Sequence, residues 1–225
     1  MRALNLYPYV DAVGRPLMNR VYRIRHLHAE RIPASGPVVL AANHESVLDP
    51  FFLGTVTPRP IRYLTRADLF RHPGLGWLLR SLGGIPVRRE GDMGRAADAG
   101  LGALANGEIV GIFPQATCLP YRDRPYRRGA ARLALAAGAP LVPVLLVGTE
   151  RALQPRTHRI GFPQVTIVVG EPLRAESAEP GRRAAAELSG RLERAIAELR
   201  EPYGPPAHAW FQTPAATLEP GNQNR

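Results

Sequence analysis

Short apolar runs rich in β-branched residues alternate with helical patterns along most of the chain, and this alternation restricts the fold more than any other feature. Six runs are predicted to be strands: Val38–Ala42, Ile61–Thr65, Ile85–Val87, Ile109–Phe113, Leu141–Val147 and Val165–Val169. Most of them lack a polar face, which is typical of strands that are buried on both sides. Strands that alternate with helices predict an α/β fold, with a central, largely parallel or mixed sheet flanked by helices.

The segments between and after these strands have the pattern of helices. Apolar residues recur at helical spacing from Leu75 to Leu82 and again from Leu188 to Leu199. Two alanine-rich segments, Arg95–Asn106 and Arg128–Ala137, each run into a glycine, which is the residue preferred just beyond a helix. We therefore expect helices in these four places, packed on the sheet.

The length of 225 residues predicts a single domain, which we place at residues 1–200, with its motif-bearing core at about 20–175. Residues 201–225 are rich in proline, lack periodicity and are predicted to form a disordered tail. No secretory signal is predicted, and the uncharged apolar stretch at residues 134–149 is too short to span a bilayer. The single cysteine excludes a disulfide framework and indicates a reducing compartment.

The net charge of +10 is unusual, and all 29 basic residues are arginines. A strongly basic chain is expected to bind an anion, which leaves nucleic acid, an anionic lipid surface and a phosphorylated small molecule as classes of partner. The arginines are scattered, and the sequence has neither zinc-finger spacing nor the aromatic signature of an RNA-recognition motif. We therefore expect no nucleic acid as a partner, although the charge alone does not exclude it.

A polar segment directly follows the first predicted strand. It reads NHESVLDP over residues 43–50, so that His44 and Asp49 stand five positions apart. Open α/β sheets place their ligands at the carboxyl ends of strands. A turn between the two residues would let the Asp49 carboxylate bind one imidazole nitrogen and leave the other as a general base. Because the chain has no G-x-S-x-G nucleophile motif, this base would deprotonate a hydroxyl of the substrate itself.

Two other interpretations of the same segment remain open on spacing alone. Asp49 before Pro50 is a good helix N-cap, with proline at the first helical position, and His44 would then be a structural histidine. A zinc site is disfavoured because no third ligand stands nearby.

Three further segments follow the NHESVLDP segment in order: GIPVRR at residues 84–89, GIFP at residues 111–114 and VPV at residues 142–144. Together the four blocks resemble the glycerolipid acyltransferase family, whose best-known members are the lysophosphatidic acid (1-acylglycerol-3-phosphate) acyltransferases. The resemblance covers about residues 20–175. Four ordered blocks are far more specific than any one of them.

The resemblance implies a glycerol-phosphate acyltransferase-like fold and a reaction. Such enzymes move a fatty acyl group from acyl-CoA or acyl carrier protein to the hydroxyl of a membrane-associated lysolipid, here most closely 1-acylglycerol-3-phosphate, in phospholipid biosynthesis. No cofactor or metal is implied, because the acyl thioester is a co-substrate. His44 would be the base and Asp49 its orienting partner, with backbone N–H groups at the helix start near Asp49 available to stabilise an oxyanion. Arg88 and Arg89, and Arg66 before them, would bind a phosphate of the acceptor or of CoA.

The third block departs from the family pattern F-P-E-G-T-R-S, since this chain reads FPQATCL at residues 113–119. In the family this block helps to bind the polar head of the acceptor, so the resemblance implies that Gln115, Ala116 and Thr117 contact substrate. Gln115 keeps hydrogen-bonding capacity but lacks the acid's charge. Two interpretations stay open: an active acyltransferase with an altered acceptor, or a degenerate relative that binds lipid or acyl-CoA with little turnover. The intact histidine–aspartate pair favours the first.

A lysolipid acceptor implies docking to a bilayer, and we expect a cytoplasmic protein associated peripherally with the inner face of the membrane. Trp77 and its neighbouring leucines, flanked by arginines, would form an apolar face rimmed by cations. The same helix is equally compatible with burial in the core. The amino-terminal segment Leu4–Val21 is a second docking candidate.

Overall fold

A computed structural model describes residues 7–87, 93–115, 126–153, 160–174 and 181–204, and for Val10, Arg66, Leu75, Leu78 and residues 93–96 it describes the backbone alone. The strands are β1 (Arg25–Leu27), β2 (Val38–Ala42), β3 (Ile61–Arg66), β4 (Ile85–Val87), β5 (Ile109–Ile112), β6 (Leu141–Val147) and β7 (Thr166–Val169). The helices are α1 (Tyr7–Tyr9), α2 (Arg15–Val21), α3 (Asp49–Gly54), α4 (Pro73–Ser81), α5 (Met93–Ala105), α6 (Gly129–Ala137) and α7 (Arg182–Arg200). A π-helical turn, Val10–Gly14, joins α1 to α2, and four short 3-10 segments lie at Ala29–Arg31, Ala67–Arg71, Thr149–Arg151 and Glu201–Tyr203.

The seven strands form one sheet in the order β1-β7-β6-β2-β5-β3-β4. Every neighbouring pair is parallel except β6 and β7, which are antiparallel. Strand β2 occupies the middle of the sheet, between β6 and β5, so its carboxyl end is flanked by the carboxyl ends of two parallel neighbours. The predicted α/β fold with a mostly parallel sheet is confirmed.

The central strands are buried on both faces, as their uniformly apolar sequences predict. In β2, Val38, Leu40 and Ala42 belong to the core on one side of the sheet, where α3 packs. Val39 and Ala41 belong to the core on the other side, which is built with α5, α6 and α7. Side chains alternate between the two faces because a strand has a two-residue period, so β2 contributes to both layers of the core.

Most predicted elements are present, and the differences lie where the sequence pattern is weak. The four predicted helices are α4, α5, α6 and α7, and α6 ends at Gly138, whose φ of +59° is the left-handed conformation that glycine favours. The sequence analysis missed β1, a three-residue edge strand with the sequence RHL, and the helices of the amino-terminal segment. Neither segment has a pattern that distinguishes it from a loop. Among the described residues, no helix is long and apolar enough to cross a bilayer.

Candidate active site

The polar segment after β2 places its histidine and aspartate side chains in direct contact. His44 Nδ1 lies 2.9 Å from Asp49 Oδ2. The Asp49 side chain is fully buried, whereas that of His44 is 16% exposed. Because a carboxylate only accepts hydrogen bonds, the proton of the neutral imidazole lies on Nδ1, and Nε2 carries the lone pair. None of the described residues bonds to Nε2, so this nitrogen is available to take a proton from a substrate.

The Asp49 carboxylate also holds the turn that presents His44. Its Oδ2 atom accepts hydrogen bonds from the backbone N–H groups of Glu45, at 2.6 Å, and Ser46, at 2.8 Å. The N-cap interpretation of Asp49 is wrong, because Leu48 occupies the cap position of α3 and Asp49 makes no cap bond to its own helix. Asp49 instead binds the residues before it, and so it fixes both the imidazole and the backbone of the turn.

Asn43 anchors the start of this turn to the central sheet. Its side-chain amide donates to the Leu146 carbonyl at 2.9 Å, and its side-chain oxygen accepts from the Leu146 N–H at 2.7 Å. These two bonds continue the pairing between β2 and β6 beyond Ala42, the last residue of the β2 ladder. Because Asn43 is buried, loss of its side chain would leave two buried backbone groups without partners.

An aromatic stack supports the imidazole from the side of β5. The ring of Phe113 lies 4.3 Å from the His44 ring, nearly parallel to it, and the Tyr63 ring lies on the Phe113 ring at 6.3 Å. The Tyr63 hydroxyl donates to the Pro50 carbonyl at 2.8 Å. Gly111 makes room for this stack, since a Cβ there would come within 2.6 Å of the Tyr63 ring. The stack therefore depends on a small residue in β5.

Gln115, from the altered third block, contacts the turn that carries His44 directly. Its Oε1 atom accepts a hydrogen bond from the backbone N–H of His44 at 2.6 Å. The family resemblance implied that Gln115 contacts the acceptor head group, and nothing in the sequence indicated a bond to the His44 backbone. A carboxamide oxygen accepts a backbone hydrogen bond as a carboxylate oxygen would, so the turn can keep this bond with glutamine in place of the family acid.

Most backbone N–H groups at the start of α3 are already bonded, which narrows the expected oxyanion donors near Asp49 to one group. The N–H groups of Asp49, Phe51 and Phe52 are bonded to carbonyls within the turn, and Pro50 has none. Across residues 44–52, Val47 carries the one N–H that has no acceptor among the described residues. Val47 itself is 59% exposed.

The structure describes the side chains of three of the eight predicted site residues, His44, Asp49 and Gln115, and brings them together. The backbone of Arg66 ends β3, but its side chain is outside the description. Arg88, Arg89, Ala116 and Thr117 also lie outside the described residues. No group of histidine, cysteine and acidic residues in the described part could hold a metal ion.

Comparison with known proteins identifies the family. Residues 23–147 match the sequence profile of the Acyltransferase family. The chain belongs to this family of acyltransferases. The 1-acyl-sn-glycerol-3-phosphate acyltransferase of Bacillus subtilis is 31% identical to it over 179 residues, which are 78% of this chain and 87% of that protein. The enzyme of the same name from Chlamydomonas reinhardtii is 29% identical over 80% of this chain, which spans 54% of the algal protein.

A solved structure confirms that the acyltransferase fold is shared. The crystal structure of PlsC, the 1-acyl-sn-glycerophosphate (LPA) acyltransferase of Thermotoga maritima, matches this acyltransferase with a TM-score of 0.69. The match covers 87% of this chain and 81% of that chain at 20% sequence identity. The resemblance predicted from the ordered blocks is thereby confirmed.

The Gln115 bond yields a first prediction for this acyltransferase. Gln115→Met, which keeps the length of the side chain but removes the acceptor, is expected to lower kcat by up to about tenfold, because the partly buried His44 N–H loses its partner. Gln115→Glu keeps an acceptor and should stay within about threefold of the parent rate. Steady-state rates of acyl transfer measure both. Equal rates for the two variants would contradict the assigned role.

Proposed function

We propose that this acyltransferase moves a fatty acyl group from acyl-CoA or acyl carrier protein to the free hydroxyl of a lysophospholipid, with 1-acylglycerol-3-phosphate as the main acceptor, in phospholipid biosynthesis. The observation that carries the proposal is the His44–Asp49 pair, whose Nδ1 is held and whose Nε2 is left available. The names of the relatives support the choice of acceptor.

The geometry of the pair supports a reaction in two steps. His44 Nε2 takes the proton of the acceptor hydroxyl while the hydroxyl oxygen attacks the thioester carbonyl carbon. The tetrahedral intermediate then collapses, the carbon–sulfur bond breaks, and the thiolate takes the proton back from His44. The Asp49 carboxylate, bonded to Nδ1–H, stabilises the imidazolium between these steps. No residue of the chain needs to form an acyl-enzyme.

The negative charge of the intermediate needs a donor, and the Val47 N–H is our candidate because it has no acceptor among the residues described around the turn. The phosphate of the acceptor or of CoA needs cations. Arg66 is the last residue of β3, so its backbone lies on the same side of the sheet as the carboxyl end of β2. Arg88 and Arg89 follow β4 in the sequence. We assign the phosphate to these arginines and the acceptor head to Gln115, Ala116 and Thr117.

The proposal is tested by incubating the purified protein with acyl-CoA or acyl carrier protein thioesters and a panel of lysophospholipids. Thiol release that depends on the lysolipid, with the diacyl product identified by mass spectrometry, is the expected result. The fastest turnover is expected with 1-acylglycerol-3-phosphate. Thiol release that does not depend on the acceptor would show that the protein only hydrolyses the thioester. No thiol release with any combination of donor and acceptor would favour the alternative of a relative that binds lipid without turnover.

We also propose peripheral docking to the inner face of the membrane. Trp77 in α4 is 48% exposed, which disfavours its burial in the core, and Tyr9, Val13 and Leu17 recur every fourth residue at 69%, 66% and 59% exposure. Adsorption of a chain with a net charge of +10 to anionic lipid adds about 1 kcal/mol per arginine near the surface. These apolar side chains and the charge support α4 and the amino-terminal segment as two docking segments.

Docking predicts a lipid preference. In sedimentation with vesicles, the protein should bind membranes containing phosphatidylglycerol more tightly than phosphatidylcholine alone, and salt should weaken the binding. Trp77→Ser should reduce binding by about tenfold, because an inserted aromatic side chain is lost. Tyr203→Ser, an exposed aromatic residue outside the two docking segments, is the matched control. Equal binding by both variants would overturn the role of α4.

A further inference from the structure

The carboxy-terminal helix reaches the catalytic turn through one ion pair. Arg200, the last residue of α7, donates from Nη2 to Glu45 Oε1 at 2.5 Å. The two side chains are 18% and 6% exposed, so the pair is largely shielded from water. Arg200 lies well beyond residues 23–147, which match the family profile, and it is not among the site residues predicted from the motifs.

Glu45 links this ion pair to the catalytic pair. It directly follows His44, and its backbone N–H donates to Asp49 Oδ2, the same oxygen that binds the imidazole. A rotation of Glu45 would therefore move an N–H that holds Asp49 and also the residue next to the base. By restraining the Glu45 side chain, Arg200 restrains the backbone of the turn from the opposite layer of the sheet.

The electrostatic surroundings make the arginine important for that restraint. Burial raises the pKa of the Glu45 carboxyl to about 7, Arg200 opposes the rise, and the carboxylates of Glu150 and Asp49 add to it. Tyr126 also lies beside the pair, since Arg200 and Glu45 both act on its hydroxyl, whose pKa burial raises to about 12. Without the arginine, the pKa of the Glu45 carboxyl would rise further.

We propose that Arg200 is a positioning residue for acyl transfer, which holds Glu45 so that the N–H groups of Glu45 and Ser46 keep the Asp49 carboxylate on His44. The inference rests on the proposed function, because the turn is assigned as the carrier of the base. Arg200 contacts no reacting atom. Its removal is therefore expected to act on the chemical step and to leave the binding of the acyl thioester unchanged.

The kinetic test compares the full-length protein with Arg200→Met, Arg200→Lys, Glu45→Gln and the Arg200→Met/Glu45→Gln double variant. Arg200→Met should lower kcat by about tenfold with KM for the thioester within about twofold, and Arg200→Lys should recover most of the loss. The double variant should be no slower than Arg200→Met, because both changes break one interaction. Arg194→Met, an exposed arginine of the same helix, is the matched control and should behave as the parent.

Backbone amide exchange of Glu45 and Ser46, followed by NMR without substrate, tests the same inference independently of turnover. Faster exchange at these two amides in Arg200→Met, and not in Arg194→Met, supports the positioning role. This result stands even if the parent protein transfers no acyl group. Such a lack of transfer would count against the proposed function alone. If Arg200→Met does not fold, the Arg200→Met/Glu45→Gln double variant removes both charges of the pair, leaves neither of them unpaired, and carries the test with the same expected losses. Unchanged exchange, or an equal rise in KM and fall in kcat, would overturn the inference.

Discussion

The His44→Ala variant is expected to fold as the parent does and to transfer acyl groups about 10²–10⁴-fold more slowly, which is the usual contribution of a general base. The expectation follows from the available Nε2 atom and the carboxylate that holds Nδ1. Lysolipid-dependent thiol release measures the rate. The lost contact with the Phe113 ring should cost only about 0.5–1.5 kcal/mol of folding free energy, so thermal unfolding should shift by a few degrees.

A histidine outside the site provides the control for this variant. His72 is exposed at the start of α4, and His72→Ala should keep the parent rate. If His44→Ala also kept the parent rate, the imidazole would not be the base, and the contact between His44 and Asp49 would have only a structural role. A large loss in both variants would point to a general effect of the substitutions.

The second large effect is expected at Asp49, where two substitutions separate two roles. Asp49→Ala removes the acceptor of three hydrogen bonds and leaves the buried N–H groups of Glu45 and Ser46 without a partner. We expect it to lower the free energy of unfolding by about 2–5 kcal/mol, a large part of the stability of a typical domain. Chemical denaturation measures this loss, and transfer activity should be lost with it.

Asp49→Asn keeps an oxygen that can accept the same three bonds and removes the negative charge. We expect this variant to lose less stability than Asp49→Ala and to transfer acyl groups about 10²-fold more slowly, because the imidazolium is no longer stabilised by a carboxylate. The comparison uses denaturation and thiol release on the same preparations. A parent-like rate in Asp49→Asn would show that Asp49 acts only as a hydrogen-bond acceptor for the turn.

The sequence predicted the sheet and the contact between His44 and Asp49 because both depend on local patterns. Apolar runs such as β2 and β6 have no polar face and are recognisable as buried strands without tertiary information. The five-residue spacing of His44 and Asp49 limits their separation to one turn, and the ordered family blocks then favoured the catalytic interpretation over the structural one.

The contacts that hold the pair in place were not predictable from spacing, because they join residues far apart in the chain. Asn43 binds Leu146, Gln115 binds the His44 backbone, and Arg200 binds Glu45 across separations of 103, 71 and 155 residues. The N-cap signal at Asp49 was misleading because the carboxylate binds three groups upstream of it, on His44, Glu45 and Ser46, in place of its own helix. The strand β7 was predicted, but its antiparallel direction relative to β6 was not, since an apolar run carries no information about strand direction.

The protonation state of His44 tests the central claim most directly. Heteronuclear NMR of the labelled protein, with the His44 signals assigned by their loss in His44→Ala, identifies which ring nitrogen carries the proton in the neutral imidazole. We predict that the proton lies on Nδ1, towards Asp49, and that Nε2 carries none. A neutral His44 with its proton on Nε2 would contradict the assignment of this histidine as the base.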